Sequence, residues 1–108
     1  MNQLPKEQER IVQNMKDILK ENSNTEVHYE GLNMDFSTFI NYLLLSETFL
    51  DDLQVKAKEI FKADDSKKGI FINCLMYFRY NVPSELLKEM FGIDREVAYP
   101  DDKKSPYR

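Results

Sequence analysis

The sequence predicts an all-α fold, a compact bundle of four or five helices with a short β-hairpin or an extended loop at residues 25–35. Apolar residues recur at spacings of three and four over most of the 108 residues, as on one face of a helix. Alternation of apolar and polar residues is confined to one short stretch. We expect residues 1–99 to form a single helical domain and residues 100–108, which are polar and contain two prolines, to form a flexible tail.

The first helix is predicted over residues 5–21. Pro5 suits the first turn of a helix, where its missing N–H costs nothing. The predicted apolar stripe is interrupted only at Gln8. Its members are Leu4, Gln8, Ile11, Met15, Ile18 and Leu19.

Residues 25–35 are the only stretch where strands are expected. Val27 and Tyr29 alternate with polar neighbours, and Gly31 can form the turn. A two-stranded ribbon is marginally stable alone, so we expect it to lie against a helix.

Residues 38–62 keep the helical spacing, with Asp35 or Ser37 as the N-cap. One long helix is one interpretation. The other is a break at Leu45 and Ser46, because serine is a good N-cap and the residues before it are apolar on all sides. We favour two helices that meet at Ser46.

The central helix is predicted over residues 67–80, beginning at Ser66. Its apolar run at residues 70–78 indicates that it is the most buried element of the fold. Cys74, the only cysteine, lies inside this run and is expected to be a small buried hydrophobic residue and not a reactive thiol.

A second helix is predicted at residues 84–91, after a bend at Pro83. Gly92 is the usual residue for a left-handed helix stop. Asp94 can cap one further short turn over residues 95–99.

Composition narrows the classes of function. The 15 Lys and Arg against 19 Asp and Glu give a formal charge of −4, which opposes non-specific attraction to phosphates. A single cysteine allows no internal disulfide and favours a reducing compartment. The start shows no secretory signal, and no apolar run approaches the roughly 18–20 residues of a membrane span, so we expect a cytoplasmic protein with no membrane contact.

Residue types that perform catalysis are sparse. His28 is the only histidine, so a metal cluster or a nucleophile–histidine pair would have to be built on it alone. The three glycines are far apart, which excludes a glycine-rich phosphate loop. We therefore predict no catalytic, cofactor or metal site, and a protein that is not an enzyme.

Acidic and aromatic residues indicate a protein-binding surface. Neighbouring residues on a helix point in different directions, so some of Phe49, Tyr42, Arg79 and Tyr80 are expected to be exposed. Exposed Tyr and Arg are common anchors of interfaces. The predicted protein-binding residues are Tyr42, Glu47, Asp51, Asp52, Arg79 and Tyr80.

This surface predicts a regulator, inhibitor or adaptor that docks on another protein. A basic partner would complement its acids. Self-association through the same surface would instead give a homodimer.

Residues 70–99, IFINCLMYFRYNVPSELLKEMFGIDREVAY, resemble the helix-turn-helix near the start of some transposases and in small DNA-binding regulators. The resemblance rests on a Leu-rich helix ending in Phe-Gly-Ile after an apolar helix and a bend. It implies, as the alternative function, a transcriptional regulator in which Arg95 faces the bases. Lys103 and Lys104 would then meet the DNA phosphates.

Overall fold

The structure, a computed structural model, describes residues 6–99, which contain six helices and a two-stranded antiparallel hairpin. The hairpin consists of β1 (Glu26–Tyr29) and β2 (Leu32–Asp35). The helices are α1 (Lys6–Glu21), α2 (Phe36–Leu45), α3 (Phe49–Ile60), α4 (Asp65–Tyr80), α5 (Ser84–Phe91) and α6 (Arg95–Ala98). The mainly helical prediction with one hairpin is therefore confirmed, but the predicted number of four or five helices is wrong, since the described residues form six when the single turn of α6 is counted. Pro5 and the predicted tail lie outside the described residues.

The hairpin closes through a two-residue turn. Val27 pairs with Met34, and Tyr29 pairs with Leu32 across the turn. Glu30 and Gly31 both have positive φ angles, of 54° and 78°, as a type I′ turn requires. The ribbon lies against α2, as predicted, where the Tyr29 ring meets the ring of Phe39 edge to face at 5.4 Å.

The break predicted near Ser46 is present. Asp35 caps α2, since its carboxylate accepts the N–H of Thr38 at 2.8 Å. Ser46 ends α2 and Thr48 precedes α3, so Ser46 is the C-cap of the first helix and not the N-cap of the second.

The bounds of the later helices follow the sequence closely. α4 starts at Asp65, slightly before the predicted start, because Asp64 accepts the N–H of Lys67 and is the N-cap. α5 has the predicted bounds and ends at Gly92, whose φ of 69° is left-handed. Asp94 caps α6, as expected.

The expectation that the central helix is the most buried element is wrong. Half of the residues of α2 are buried, whereas in α4 fewer than a third are. The apolar run of α4 is only partly covered: Ile70 is exposed, and Ile72, Met76 and Tyr77 are half-buried. The reason is geometric, since a 16-residue helix offers more surface than its neighbours cover, while the shorter α2 packs against the hairpin, α3 and α4.

Buried side chains from Ile11 to Tyr99 form one apolar cluster. Aromatic rings join its parts: Phe71 of α4 lies 6.2 Å from Phe36 and 5.0 Å from Phe61. Cys74 is fully buried in this cluster, as predicted. Burial raises the pKa of its thiol to about 12, so the reactive thiolate is not formed at neutral pH.

Gln8 is the one polar member of the α1 stripe, and only 7% of its surface is exposed. Its Nε2 has no hydrogen-bond partner among the described residues. We expect Gln8→Met, which removes the amide and nearly keeps the shape, to raise the free energy of unfolding by about 1–2 kcal/mol. Chemical denaturation measures this change.

Gln54→Met is the matched control, because Gln54 is exposed on α3. The control should change the free energy of unfolding by less than about 0.5 kcal/mol. A Gln8→Met variant no more stable than the control would contradict an unsatisfied amide at this position.

Candidate functional site

A groove lies where α2 turns into α3, at residues 45–48, which we call the α2–α3 corner. Its volume is about 410 Å³. One wall is the hairpin tip, with Tyr29 and Glu30, and the other is α2 with Tyr42. The corner residues complete the lining.

Two exposed apolar side chains line the groove. Tyr42 is 46% exposed and Leu45 is 42% exposed, although both belong to the most buried helix. They lie one turn apart at i and i+3, so they share one face of α2. The groove therefore offers an apolar face to solvent beside the carboxylates of Glu30 and Glu47.

Asp52 fixes the outer side of the corner. Its Oδ2 accepts hydrogen bonds from the hydroxyls of Tyr29 at 2.6 Å, Ser46 at 2.9 Å and Thr48 at 3.1 Å. One carboxylate oxygen thus joins the hairpin, the end of α2 and the first turn of α3. The Ser46 Oγ also accepts the backbone N–H of Thr48 at 3.1 Å, which closes the turn.

This network shifts the pKa of both acids in it. Partial burial alone would raise the pKa of Asp52, but hydrogen bonds from Tyr29, Ser46 and Thr48 and the nearby charge of Lys56 lower it below its ordinary value of 3.8. Burial raises the pKa of the Tyr29 hydroxyl to about 12, and its hydrogen bond to Asp52 adds to the shift. At neutral pH the network is therefore a phenol donating to an ionised carboxylate.

Arg79 fixes the inner side of the corner. It is 7% exposed, and its Nη1 donates to the carbonyl oxygens of Leu44 at 3.1 Å and Ser46 at 2.7 Å. Its guanidinium lies over the ring of Phe49, 4.9 Å from the centroid, and over the ring of Tyr99 at 4.2 Å. Arg79 thus satisfies carbonyls at the C-terminus of α2, where a cation is also favoured by the helix dipole.

The structure places the predicted protein-binding residues around this corner, in different roles. Tyr42 and Glu47 line the groove, and Asp51 is exposed in the first turn of α3. Asp52 and Arg79 hold the corner from within. Tyr80 is half-buried, with its ring 6.0 Å from that of Phe49.

Two members of the predicted exposed set are buried. Arg79 and Phe49 lie inside the protein, so Arg79 is not available as a surface anchor. The physical reason is that the Arg79 guanidinium stacks on the ring of Phe49, and the two groups together cover the end of α2. Leu45, Glu30 and Ser46 belong to the groove but were not predicted as site residues.

Arg95 of the alternative prediction points into the protein. Its Nε donates to the Arg79 carbonyl at 3.2 Å, its Nη2 donates to the Phe78 carbonyl at 2.7 Å, and its Nη1 donates to the Val82 carbonyl. These carbonyls lie at the end of α4 and just beyond it, so Arg95 caps that helix. Lys103 and Lys104 lie outside the described residues.

The charges are segregated along the chain. The 35 residues from 21 to 55, which contain the hairpin, α2 and the corner, hold seven Asp and Glu and neither Lys nor Arg. The remainder of the chain therefore carries a formal charge of +3 within the total of −4. This segregation is visible in the sequence and is the signal that identifies the hairpin tip as part of an acidic surface.

No metal-binding group is present in residues 6–99, where no three His, Cys, Asp or Glu lie close enough to hold an ion. His28 is exposed on β1, and its Nδ1 lies 2.9 Å from Oδ1 of Asn33 on β2. This hydrogen bond joins the strands. Among the same residues no helix has the length and apolar content needed to cross a membrane.

Comparisons with protein-family models, with curated proteins and with solved structures found no match.

We expect Asp52→Asn to lower the free energy of unfolding at neutral pH by about 1–3 kcal/mol, because it weakens three hydrogen bonds to a charged acceptor. The folded pKa of Asp52 lies below the unfolded value. Asp52 therefore contributes its full stabilisation at pH values above its pKa in the unfolded state. This stabilisation is lost as the pH falls through its pKa in the folded state. Stability of the variant should depend less on pH in that range, as measured by urea denaturation at a series of pH values.

Asp51→Asn is the control, since Asp51 is the exposed neighbour on the same turn. It should change stability by less than about 0.5 kcal/mol. Equal stability and equal pH dependence of the two variants would show that Asp52 does not fix the corner.

Arg79→Lys should lower the free energy of unfolding by about 2–4 kcal/mol. A lysine keeps the charge but lacks the planar fork that lies on two rings while it reaches two carbonyls. Chemical denaturation measures the loss. Arg10→Lys on the exposed face of α1 makes the same replacement without burial and should be nearly neutral; equal stability of the two variants would contradict the capping role.

Proposed function

We propose that this protein is a non-enzymatic protein-binding regulator, inhibitor or adaptor that docks through the groove at the α2–α3 corner. The observation that carries the proposal is the exposed apolar pair, Tyr42 and Leu45, on a helix that is otherwise the most buried of the fold. Contiguous exposed apolar surface with a polar rim is a common feature of interaction sites, and these two side chains form such a surface beside a concavity.

The rigidity of the corner supports this proposal. Asp52 binds the hydroxyl of Ser46 and Arg79 binds its carbonyl, so little of the corner has to be ordered when a partner binds. Tyrosine is a frequent anchor because it offers a large, amphipathic contact area at low entropic cost.

Docking would act by occlusion of a functional surface on the partner or by bridging two proteins. The proposal includes a cytoplasmic location, a helical bundle as the packing arrangement and the absence of catalysis. The competing possibility is that a second copy of this protein binds in the same groove and forms a homodimer.

The helix-turn-helix alternative receives less support from the geometry. Its base-facing residue, Arg95, uses all three guanidinium nitrogens on backbone carbonyls, and α6 is a single turn of four residues. A reading helix has to be long enough to lie in a major groove.

The test is capture of partners from a lysate of the host with the tagged protein, with and without nuclease. We expect a stoichiometric protein to be retained after nuclease treatment. The double variant Tyr42→Ser, Leu45→Ser should weaken its binding at least tenfold, measured by titration with the purified partner, since loss of two anchors costs more than about 1.4 kcal/mol.

The matched control is the double variant Val55→Ser, Val97→Ser, which removes two exposed apolar side chains outside the groove. It should bind like the wild type. Retention of full affinity by the groove variant would refute docking at this site, and recovery that collapses with nuclease would favour the DNA-binding alternative.

A further inference from the structure

The two charged residues that line the groove are both acidic: Glu30 at the hairpin tip and Glu47 at the corner. They lie within the 35-residue segment that holds seven acids and neither Lys nor Arg. A nearby cation is Lys56, whose Nζ donates to the His28 carbonyl at 2.6 Å and to Glu59 at 3.0 Å. Lys56 is held by Glu59 and offsets part of the charge of Asp52, so a cation entering the groove is attracted chiefly by the two lining carboxylates and by the other acids of this segment.

The nearby carboxylates differ in what they can offer a ligand. Asp52 already accepts three hydroxyl donors, and Asp35 accepts the N–H of Thr38 at the start of α2. Glu30 and Glu47 are exposed and line the groove itself. These two are thus the carboxylates that a ligand in the groove would meet.

We propose that the groove binds a basic segment of a partner protein, in which an Arg or Lys lies next to a large aliphatic or aromatic residue. This inference rests on the proposed function. The cation lies between Glu30 and Glu47. The apolar neighbour packs on Leu45 and on the ring of Tyr42. An Arg can also stack on that ring, since a guanidinium favours the face of an aromatic group.

A second copy of this protein is the poorer occupant. In a symmetric dimer the same patch meets itself, so Glu30 and Glu47 of one copy would lie against those of the other. Like charges brought together across an interface are unfavourable and select against such pairing. The charge pattern therefore commits the groove to a partner of opposite sign.

The experiment is selection of a random 12-residue peptide library, displayed on phage, against the full chain. Recovered peptides should be enriched in Arg or Lys adjacent to Leu, Ile, Met or Phe. Synthetic versions should bind at least fivefold more weakly at 300 mM than at 50 mM NaCl, because the charges at the rim are screened by salt.

The double variant Glu30→Gln, Glu47→Gln should lower the affinity for these peptides at least tenfold and flatten the salt dependence. The control is Glu85→Gln, Glu89→Gln, which removes the same charge from exposed positions of α5 and should bind like the wild type. Equal binding by the two double variants would overturn the proposal, as would recovery of no peptides or of peptides without basic enrichment.

Glu30→Asn separates binding from folding. Glu30 has a left-handed φ of 54°, a conformation that Asn adopts readily in a type I′ turn. The variant should therefore have a higher denaturation midpoint than the wild type and still bind the basic peptides more weakly. A variant that is more stable and binds the peptides as well as the wild type would show that Glu30 is not part of the binding site.

The outcomes also distinguish this inference from the proposed function. If the Tyr42→Ser, Leu45→Ser variant loses the natural partner while the Glu30→Gln, Glu47→Gln variant keeps it, the groove is a docking site and the basic segment is refuted. If neither variant weakens that complex, both proposals fail. Self-association of the wild type that the Tyr42→Ser, Leu45→Ser variant abolishes would assign the groove to a second copy and overturn the inference.

Discussion

The structure depends on how one serine joins two opposite charges at the α2–α3 corner. The hydroxyl of Ser46 donates to the Asp52 carboxylate, while its carbonyl accepts from the Arg79 guanidinium. Through Asp52 the corner reaches Tyr29 of the hairpin, and through Arg79 it reaches α4. Charges removed from water are costly unless their hydrogen bonds are replaced, and here both are supplied with partners by the same turn. The chain has to leave α2 at this point for those partners to meet.

The same solution recurs at other helix ends. The last carbonyls of a helix lack partners within it, so each helix end that is packed inside the protein needs an outside donor. Arg79 of α4 donates a hydrogen bond to a carbonyl at the end of α2, and Arg95 of α6 donates one to a carbonyl at the end of α4. Asn41 of α2 donates to the Phe91 carbonyl at the end of α5 at 2.9 Å. Neighbouring helices are thus fixed relative to each other by directional bonds as well as by apolar packing, which explains why two arginines that look like surface residues in the sequence are structural.

Local signals in the sequence predicted the elements well because each has a local cause. The apolar spacing, the positive φ required after Phe91 and the cap residue before α2 act within a few residues. Three features depend on groups more than ten positions away in the chain: the burial of α2, the role of Arg79 and the role of Arg95. Such distant contacts leave no pattern in the neighbouring sequence. Glu47 was predicted in the site from an assumed helical spacing to Asp51, although it lies in the turn between α2 and α3, whereas Glu30 joins the site only because the hairpin folds against α2. Charge segregation over residues 21–55 is the exception, since it is long-range in effect and readable from the sequence.

The corner also explains why the groove can remain open to solvent at all. Arg79 donates to the carbonyls of Leu44 and Ser46, on either side of Leu45, and Asp52 accepts from the Ser46 hydroxyl, so the end of α2 that carries Leu45 is fixed. Keeping the two side chains exposed leaves unrealised a stabilisation of roughly 25 cal/mol for each Å² of apolar surface, which the fold has to offset elsewhere. A partner that covers the pair recovers this area without first ordering the corner, so more of the contact energy remains for affinity. In the proposed function, the polar network around Ser46 is thus what makes the exposed apolar pair a preformed docking surface.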